Sequence, residues 1–104
     1  MTEADWQKQV IELARLFKWR VAHFRPAQTK HGWVTPVAAD GKGFPDLILV
    51  RDRVIAAELK APGKKLTPDQ IAWRNAFADA SCESYVWQPS DWDSIVEILR
   101  RRAA

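Results

Sequence analysis

The sequence predicts one α/β domain in which helices flank a mixed central sheet. Apolar residues recur at helical spacing near the N-terminus, and two neighbouring runs rich in β-branched residues occupy the middle of the chain. A helix-capping signal precedes a further helix, strand and helix. Because 104 residues suffice for one hydrophobic core, we expect residues 1–104 to form a single domain.

The first helix is predicted over about residues 3–17. Thr2 precedes Glu3-Ala4-Asp5 and is a suitable N-cap. Its apolar face then consists of Trp6, Val10, Leu13 and Phe17.

Four strands are predicted to follow this helix. The second of them is the weakest, because Pro36 interrupts it. The residues between and after the first two, Pro26–Lys30 and Ala38–Gly43, have the composition of loops. The predicted strands are Lys18–Arg25, His31–Val37, Asp46–Val50 and Val54–Lys60.

The last third of the chain predicts a helix, a strand and a helix. Thr67, Pro68 and Gln70 have the spacing of a capping box with proline at the first helical position, so a helix should extend to about Ala80. A strand over Ser84–Gln88 and a helix from Asp91 to about Arg101, capped by Ser90, complete the order α-β-β-β-β-α-β-α.

Charge and cysteine content narrow the possible functions. The net charge of +3 and the isoelectric point near 9.3 suit a polyanionic partner without requiring one. Cys82 is the only cysteine, which excludes an intrachain disulfide and a cysteine zinc cluster. Without a long apolar run or a signal-peptide pattern, we expect an intracellular, cytoplasmic protein.

Three charged residues end the two central strands. If Arg51-Asp52-Arg53 is a three-residue hairpin loop, Val50 pairs with Val54 and Asp46 lies opposite Glu58. Lys60 projects from the same face, because alternate residues of a strand share a face.

Two adjacent carboxylates repel unless a cation neutralises them. One or two carboxylates are a common ligand set for Mg²⁺, so Asp46 and Glu58 are candidate ligands for Mg²⁺ or Mn²⁺. Lys60 is then placed to orient an attacking water or to stabilise charge in the transition state. This arrangement is typical of a phosphodiesterase.

A structural alternative remains open for the same residues. A two-residue turn would shift the register by one and put the carboxylates on opposite faces. Asp46 would then end a strand after Pro45, and Glu58 and Lys60 would form a solvated pair.

The chain resembles the VRR-NUC family of the PD-(D/E)xK nuclease superfamily, in its small stand-alone virus-type form. The matching segments cover nearly the whole chain, from Glu3 to Leu99. The resemblance implies a restriction-endonuclease-like αβββαβ core. The motifs that carry it are Gly43-Phe44-Pro45-Asp46, Glu58-Leu59-Lys60, Leu66–Trp73 and Val86–Leu99.

The resemblance also implies roles for individual residues. Asp46, Glu58 and the Leu59 carbonyl are expected to bind metal, and Lys60 is expected to be the catalytic lysine. Glu3 and Gln70 match two further site positions of the family. Gln7 lies on the helix face of Glu3 and Glu12 points roughly the opposite way, although Glu3 also suits the positive end of the helix dipole.

Two helix ends depart from the family pattern. Lys18 and Ser81-Cys82 stand where the family commonly has glycine.

Several residues are candidate nucleic-acid contacts, each weighed against an ordinary surface or core role. Trp33 is the candidate for stacking on an unpaired base, whereas Trp6, Trp73 and Trp92 are assigned to packing. The basic candidates for phosphate contacts are Arg25, Lys30, Lys42, Lys64 and Lys65.

We therefore expect a metal-dependent endonuclease acting on branched DNA, with Holliday-junction resolution by a homodimer as the first choice. A general repair or restriction-type endonuclease and a non-catalytic nucleic-acid-binding module are the alternatives. The resemblance allows a virus-encoded protein acting in the host cytoplasm.

Overall fold

The computed structural model describes residues 1–24, 27–34 and 37–103. Three helices and six strands occupy these ranges, in the α/β class that the sequence predicts. None of these helices is both long enough and apolar enough to cross a membrane. The elements are α1 (Glu3–Leu16), β1 (Arg20–His23), β2 (Ala27–Thr29), β3 (Gly32–Val34), β4 (Leu47–Val50), β5 (Val54–Leu59), α2 (Pro68–Asp79), β6 (Glu83–Trp87) and α3 (Trp92–Arg100).

The main sheet is mixed, with the strand order β1-β4-β5-β6. Strand β4 pairs antiparallel with both β1 and β5, whereas β5 and β6 are parallel because α2 connects them. The β4–β5 hairpin therefore lies at the centre of the sheet, as its apolar sequence predicts.

The prediction was wrong for the segment between β1 and β4. Ala27–Thr29, expected in a loop, form β2. Of the predicted strand His31–Val37, Gly32–Val34 form β3, His31 and Val37 lie outside it, and residues 35–36 are outside the described ranges. These two strands pair with each other and not with the main sheet. Gly32 has a φ of +107°, which permits the tight turn between them.

The helix starts are formed largely as predicted. Thr2 and Thr67 cap α1 and α2, each in a reciprocal capping box. The start of α3 differs, because Pro89–Asp91 form a 3₁₀ turn and Asp91 accepts a hydrogen bond from the Gln88 amide at 2.9 Å. Ser90 therefore does not cap this helix.

One hydrophobic core forms where α1 and α3 cover the sheet. Burial of a large aliphatic side chain contributes about 1.5–3 kcal/mol. Two tryptophans also donate hydrogen bonds across this core: Trp6 Nε1 to the Trp87 carbonyl at 3.2 Å, and Trp19 Nε1 to the Leu99 carbonyl at 2.8 Å. The core comprises Trp6, Val10, Ala14, Trp19, Leu47, Leu49, Ile55, Ala57, Leu59, Trp87, Ile95 and Leu99.

The β4–β5 turn binds the ends of two helices. Val50 pairs with Val54, so the turn is the predicted Arg51-Asp52-Arg53 loop. Arg51 donates to the carbonyls of Phe17 at 2.9 Å and Leu99 at 3.0 Å, and its guanidinium lies 4.5 Å from the centre of the Trp19 ring. These contacts satisfy carbonyls that α1 and α3 leave unpaired at their C-termini.

Candidate active site

The hairpin register brings Asp46 and Glu58 together. Leu47 pairs with Ala57 and Ile48 with Ala56, so the residue before β4 lies opposite Glu58. Asp46 Oδ2 accepts a hydrogen bond from the Leu59 amide at 2.8 Å. The aspartate side chain therefore extends the hydrogen bonding between the two strands by one residue before the start of β4.

Glu58 is the buried charged residue of the described core, with 8% of its surface exposed. Burial, then the charge of Asp46 and a hydrogen bond with its side chain, raise the pKa of Glu58 from 4.5 to about 9. The charge of Lys60 acts in the opposite direction, and that of Glu3 adds to the rise in pKa. Without a cation, Glu58 therefore holds a proton at neutral pH beside Asp46.

The N-terminus of α2 holds Glu58 from the other side. Gln70 Nε2 donates to Glu58 Oε1 at 3.2 Å, while Gln70 Oε1 accepts from the Thr67 amide at 2.9 Å. One amide side chain thus caps its helix and contacts the buried carboxyl group. The helix cap fixes the position from which Gln70 reaches Glu58.

Gly43 allows the loop before Asp46 to pack against the same helix end. Its φ is +82°, and a Cβ atom there would lie 2.6 Å from the Asp69 carbonyl carbon and 2.7 Å from the Gln70 nitrogen. Phe44 packs edge-on against Phe24 and Trp73, with ring centres 5.1 and 5.0 Å apart. These contacts position Asp46 relative to Gln70.

Glu3 and Glu12 both border an open groove of about 730 Å³ whose lining includes Asp46. The two glutamates are nine residues apart, which at about 100° per residue corresponds to about 180° around an ideal helix. The sequence predicts that Glu12 points away from Glu3, yet both residues line the same groove. The charge of Glu3 contributes to the raised pKa of Glu58.

The donor set fits a hard divalent cation. Two carboxyl groups lie opposite each other on the hairpin, and Lys60 is half-buried one residue beyond β5. Leu59 donates its N–H toward Asp46, and the carbonyl of a strand residue points to the same side as its N–H. No group of three or more His, Cys, Asp or Glu side chains forms a metal cluster within residues 1–24, 27–34 and 37–103.

The predicted nucleic-acid contacts are dispersed. Trp33 is 69% exposed and lines the groove, whereas Lys30, Lys64 and Lys65 are surface residues. Lys42 lies 3.7 Å from the Asp69 carboxylate in an exposed ion pair. Arg25 lies outside the described residues.

Sequence reasoning missed the basic residues of the groove. Lys8 and Arg15 line it together with Gln7, Ile11 and His23. Lys8 and Arg15 are seven residues apart, about two helical turns, which indicates a shared helix side, but that spacing does not show what the side faces.

The family model of the VRR-NUC domain matches residues 5–91. The chain belongs to the VRR-NUC family. A solved structure described as a VRR_NUC domain protein has the same fold, with a TM-score of 0.68 and 22% sequence identity, and the match covers 96% of this chain and 86% of that one. No curated protein matches the sequence.

Membership of the VRR-NUC family makes this protein a nuclease of the PD-(D/E)xK type. Its αβββαβ core consists of α1, β1, β4, β5, α2 and β6, and the β2–β3 hairpin is inserted between β1 and β4. The two departures from the family pattern lie at left-handed positions, with φ of 73° at Lys18 and 60° at Ser81. Both follow helix C-caps, where glycine is favoured.

Proposed function

We propose that this VRR-NUC protein is a divalent-metal-dependent endonuclease that hydrolyses phosphodiester bonds in branched DNA, acting inside cells through one nuclease domain spanning residues 1–104. The observation that carries the proposal is the buried Glu58 carboxyl group, which lies opposite Asp46 and 3.2 Å from Gln70 Nε2. A buried carboxyl group with a raised pKa next to a second carboxyl group is costly for folding and is typical of a functional site.

Asp46, Glu58 and the Leu59 carbonyl would hold Mg²⁺ or Mn²⁺. When bound, the ion would make water acidic enough to attack at neutral pH and would offset charge on the phosphate. A divalent cation would displace the Glu58 proton, because two negative oxygens close together need a positive charge.

The remaining residues position the reacting groups. Lys60 would orient the attacking water or stabilise the charge that develops on the phosphate oxygens. Gln70 holds one Glu58 oxygen at 3.2 Å and so acts as a positioning residue. Glu3 would approach the site from α1, on the groove that Asp46 also lines.

Among DNA substrates, we propose a four-way junction cut by a homodimer. Resolution of a junction needs two cuts in a fixed relation, and two-fold symmetry provides this relation with one site per chain. A general repair or restriction-type endonuclease is the second choice. A non-catalytic DNA-binding role is disfavoured, since Asp46, Glu58 and Lys60 are all retained.

A cleavage assay tests the enzymatic role. Four-way junction, flap, duplex and single-stranded DNA are incubated with Mg²⁺, Mn²⁺ or EDTA. We expect cleavage with metal only, and a loss of at least about a hundredfold for Asp46→Asn, Glu58→Gln or Lys60→Ala, with losses in double variants far from additive.

Glu97→Gln is the matched control, since this glutamate is exposed on α3 and pairs with Arg100. It should cleave as the parent does. Full cleavage by Glu58→Gln at the same metal concentration would refute the assigned site, and cleavage in EDTA would refute the metal requirement.

A further inference from the structure

The groove along α1 is lined mostly by residues that have no role in the proposed catalysis. It is lined by the helix, by β1 and by the β2–β3 hairpin, and Asp46 contributes to its wall. We call it the α1 groove. The residues used below are Gln7, Lys8, Ile11, Arg15, Trp33 and Asp46.

Trp33 supplies a large aromatic surface that the protein does not bury. Its side chain is 69% exposed, whereas Trp6, Trp19 and Trp87 are at most 3% exposed. An indole left open in a groove is suited to stack on a nucleic-acid base, since each base has a flat aromatic face.

The helix wall supplies hydrogen-bond and charge partners for a nucleic-acid backbone. Lys8 and Arg15 carry two positive charges and Glu12 one negative charge, so this part of the wall is net positive. The negative charges of Glu3 and Asp46 lie at the end assigned to metal binding. Gln7 can contact a phosphate or sugar oxygen between the two regions.

The size of the α1 groove limits what it can hold. About 730 Å³ falls in the range of clefts that bind drug-sized molecules, about 300–1,000 Å³. Such a volume suits one or two nucleotides of a single strand but not a double helix.

We propose that the α1 groove binds one or two unpaired nucleotides of the strand being cut, with a base on Trp33 and phosphates near Lys8 and Arg15. The strand then continues to Asp46, which lies in the same groove. This inference rests on the proposed function and adds that the nucleotides beside the cleaved bond are unpaired in the bound branched DNA, either already in the free substrate or by opening at the branch point.

Fluorescence of 2-aminopurine tests the proposal without cleavage. The base is placed at the first unpaired position of a forked duplex, and in a fully paired duplex of the same sequence, with EDTA present. We expect binding to quench the fork signal, and Trp33→Ala to abolish the quenching and weaken fork binding about tenfold.

Matched variants separate stacking from charge. Trp33→Phe should retain quenching because it keeps an aromatic face. Lys8→Ala and Arg15→Ala should each weaken fork binding. Each should also reduce the slope of the logarithm of the binding constant against the logarithm of the salt concentration by about one. Arg102→Ala removes an exposed charge outside the α1 groove and should have no such effect.

Two results would overturn the inference. In the first, Trp33→Ala binds the fork and quenches its fluorescence as strongly as the parent does. In the second, Trp33→Ala weakens binding to the fully paired duplex as much as binding to the fork. If the parent cuts DNA with Mn²⁺ while either result is found, only the inference fails. If the parent neither binds nor cuts any DNA, the proposed function fails with it.

Discussion

At the scale of single residues, the Glu58 carboxyl group links folding to pH. Its pKa is 4.5 when exposed and about 9 in the folded, metal-free protein. Between these values the folded chain holds a proton that the unfolded chain has released. The free energy of unfolding should therefore fall as pH rises through this window.

We expect metal-free protein to lose up to about 4 kcal/mol of this Glu58 contribution between pH 5 and pH 8, and Glu58→Gln to remove that loss. Urea unfolding in EDTA at several pH values measures it, with Glu97→Gln as control. Comparing parent with variant isolates the contribution of residue 58 from that of the other titratable groups. The same pH slope in Glu58→Gln and in the parent would contradict the prediction.

Asp46 combines a structural contact with its proposed metal-binding role. Asparagine can still accept the 2.8 Å hydrogen bond from the Leu59 amide while removing the negative charge beside Glu58. We expect Asp46→Asn to leave the metal-free Tm unchanged or raised, and Asp46→Ala to cost about 1–2 kcal/mol, since it leaves that amide unpaired.

Both Asp46 variants should lose the rise in Tm that Mg²⁺ or Mn²⁺ gives the parent. Thermal melts with and without metal measure this. A lower metal-free Tm for Asp46→Asn, or a metal-induced rise that persists in either variant, would count against the assignment of Asp46 as a ligand.

At the scale of elements, two helix ends are held in a conformation that non-glycine residues adopt at a cost. Lys18 and Ser81 follow α1 and α2 with φ of 73° and 60°. We expect Lys18→Gly and Ser81→Gly each to stabilise the protein by about 0.5–1 kcal/mol.

Glycine inside a helix has the opposite effect, so Gln9→Gly in exposed α1 should destabilise by about 1 kcal/mol. Chemical denaturation of the three variants gives the values. A loss of stability in Lys18→Gly would show that its side-chain contacts outweigh the backbone cost.

Elements that are specified by residues close together in the sequence were predicted correctly. The hairpin register follows from a three-residue turn between two apolar runs. Gln70 could be identified because it belongs to a capping box whose spacing is visible in the sequence. Strands β2 and β3 have three residues each, which is too few for the alternation of apolar and polar residues to be recognised. The contacts of Arg51 with Phe17 and Leu99 join distant parts of the chain, so no local pattern indicates them.

The candidate site also combines residues that local sequence patterns predict with residues that only packing between elements brings together. Asp46, Glu58 and Lys60 lie on one hairpin, and their proximity follows from strand geometry. Lys8 and Arg15 share a groove with Trp33 only because the β2–β3 hairpin faces α1 there. That placement depends on packing between elements and not on the spacing within either one.

At the scale of the whole molecule, the tryptophans no longer support a dimer. Five of the six are buried or half-buried within the chain, and only Trp33 is largely exposed. The proposed homodimer therefore rests on the two cuts that a junction requires and on the family resemblance.

We expect the protein to behave as a dimer at micromolar concentration in sedimentation or light scattering, and to release linear product from a plasmid carrying an extruded junction. Paired cuts require both sites to act before dissociation. A monomer that yields only nicked circles would refute the dimer while leaving the nuclease assignment intact.

The protonated Glu58 should also affect how the sequence changes under selection. A library of variants selected only for resistance to heat, without metal, should enrich glutamine at residue 58, because glutamine keeps the shape of the protonated acid without a charge to bury. A second library selected for DNA cleavage should retain glutamate there. The two populations would diverge at the residue where folding and catalysis make opposite demands.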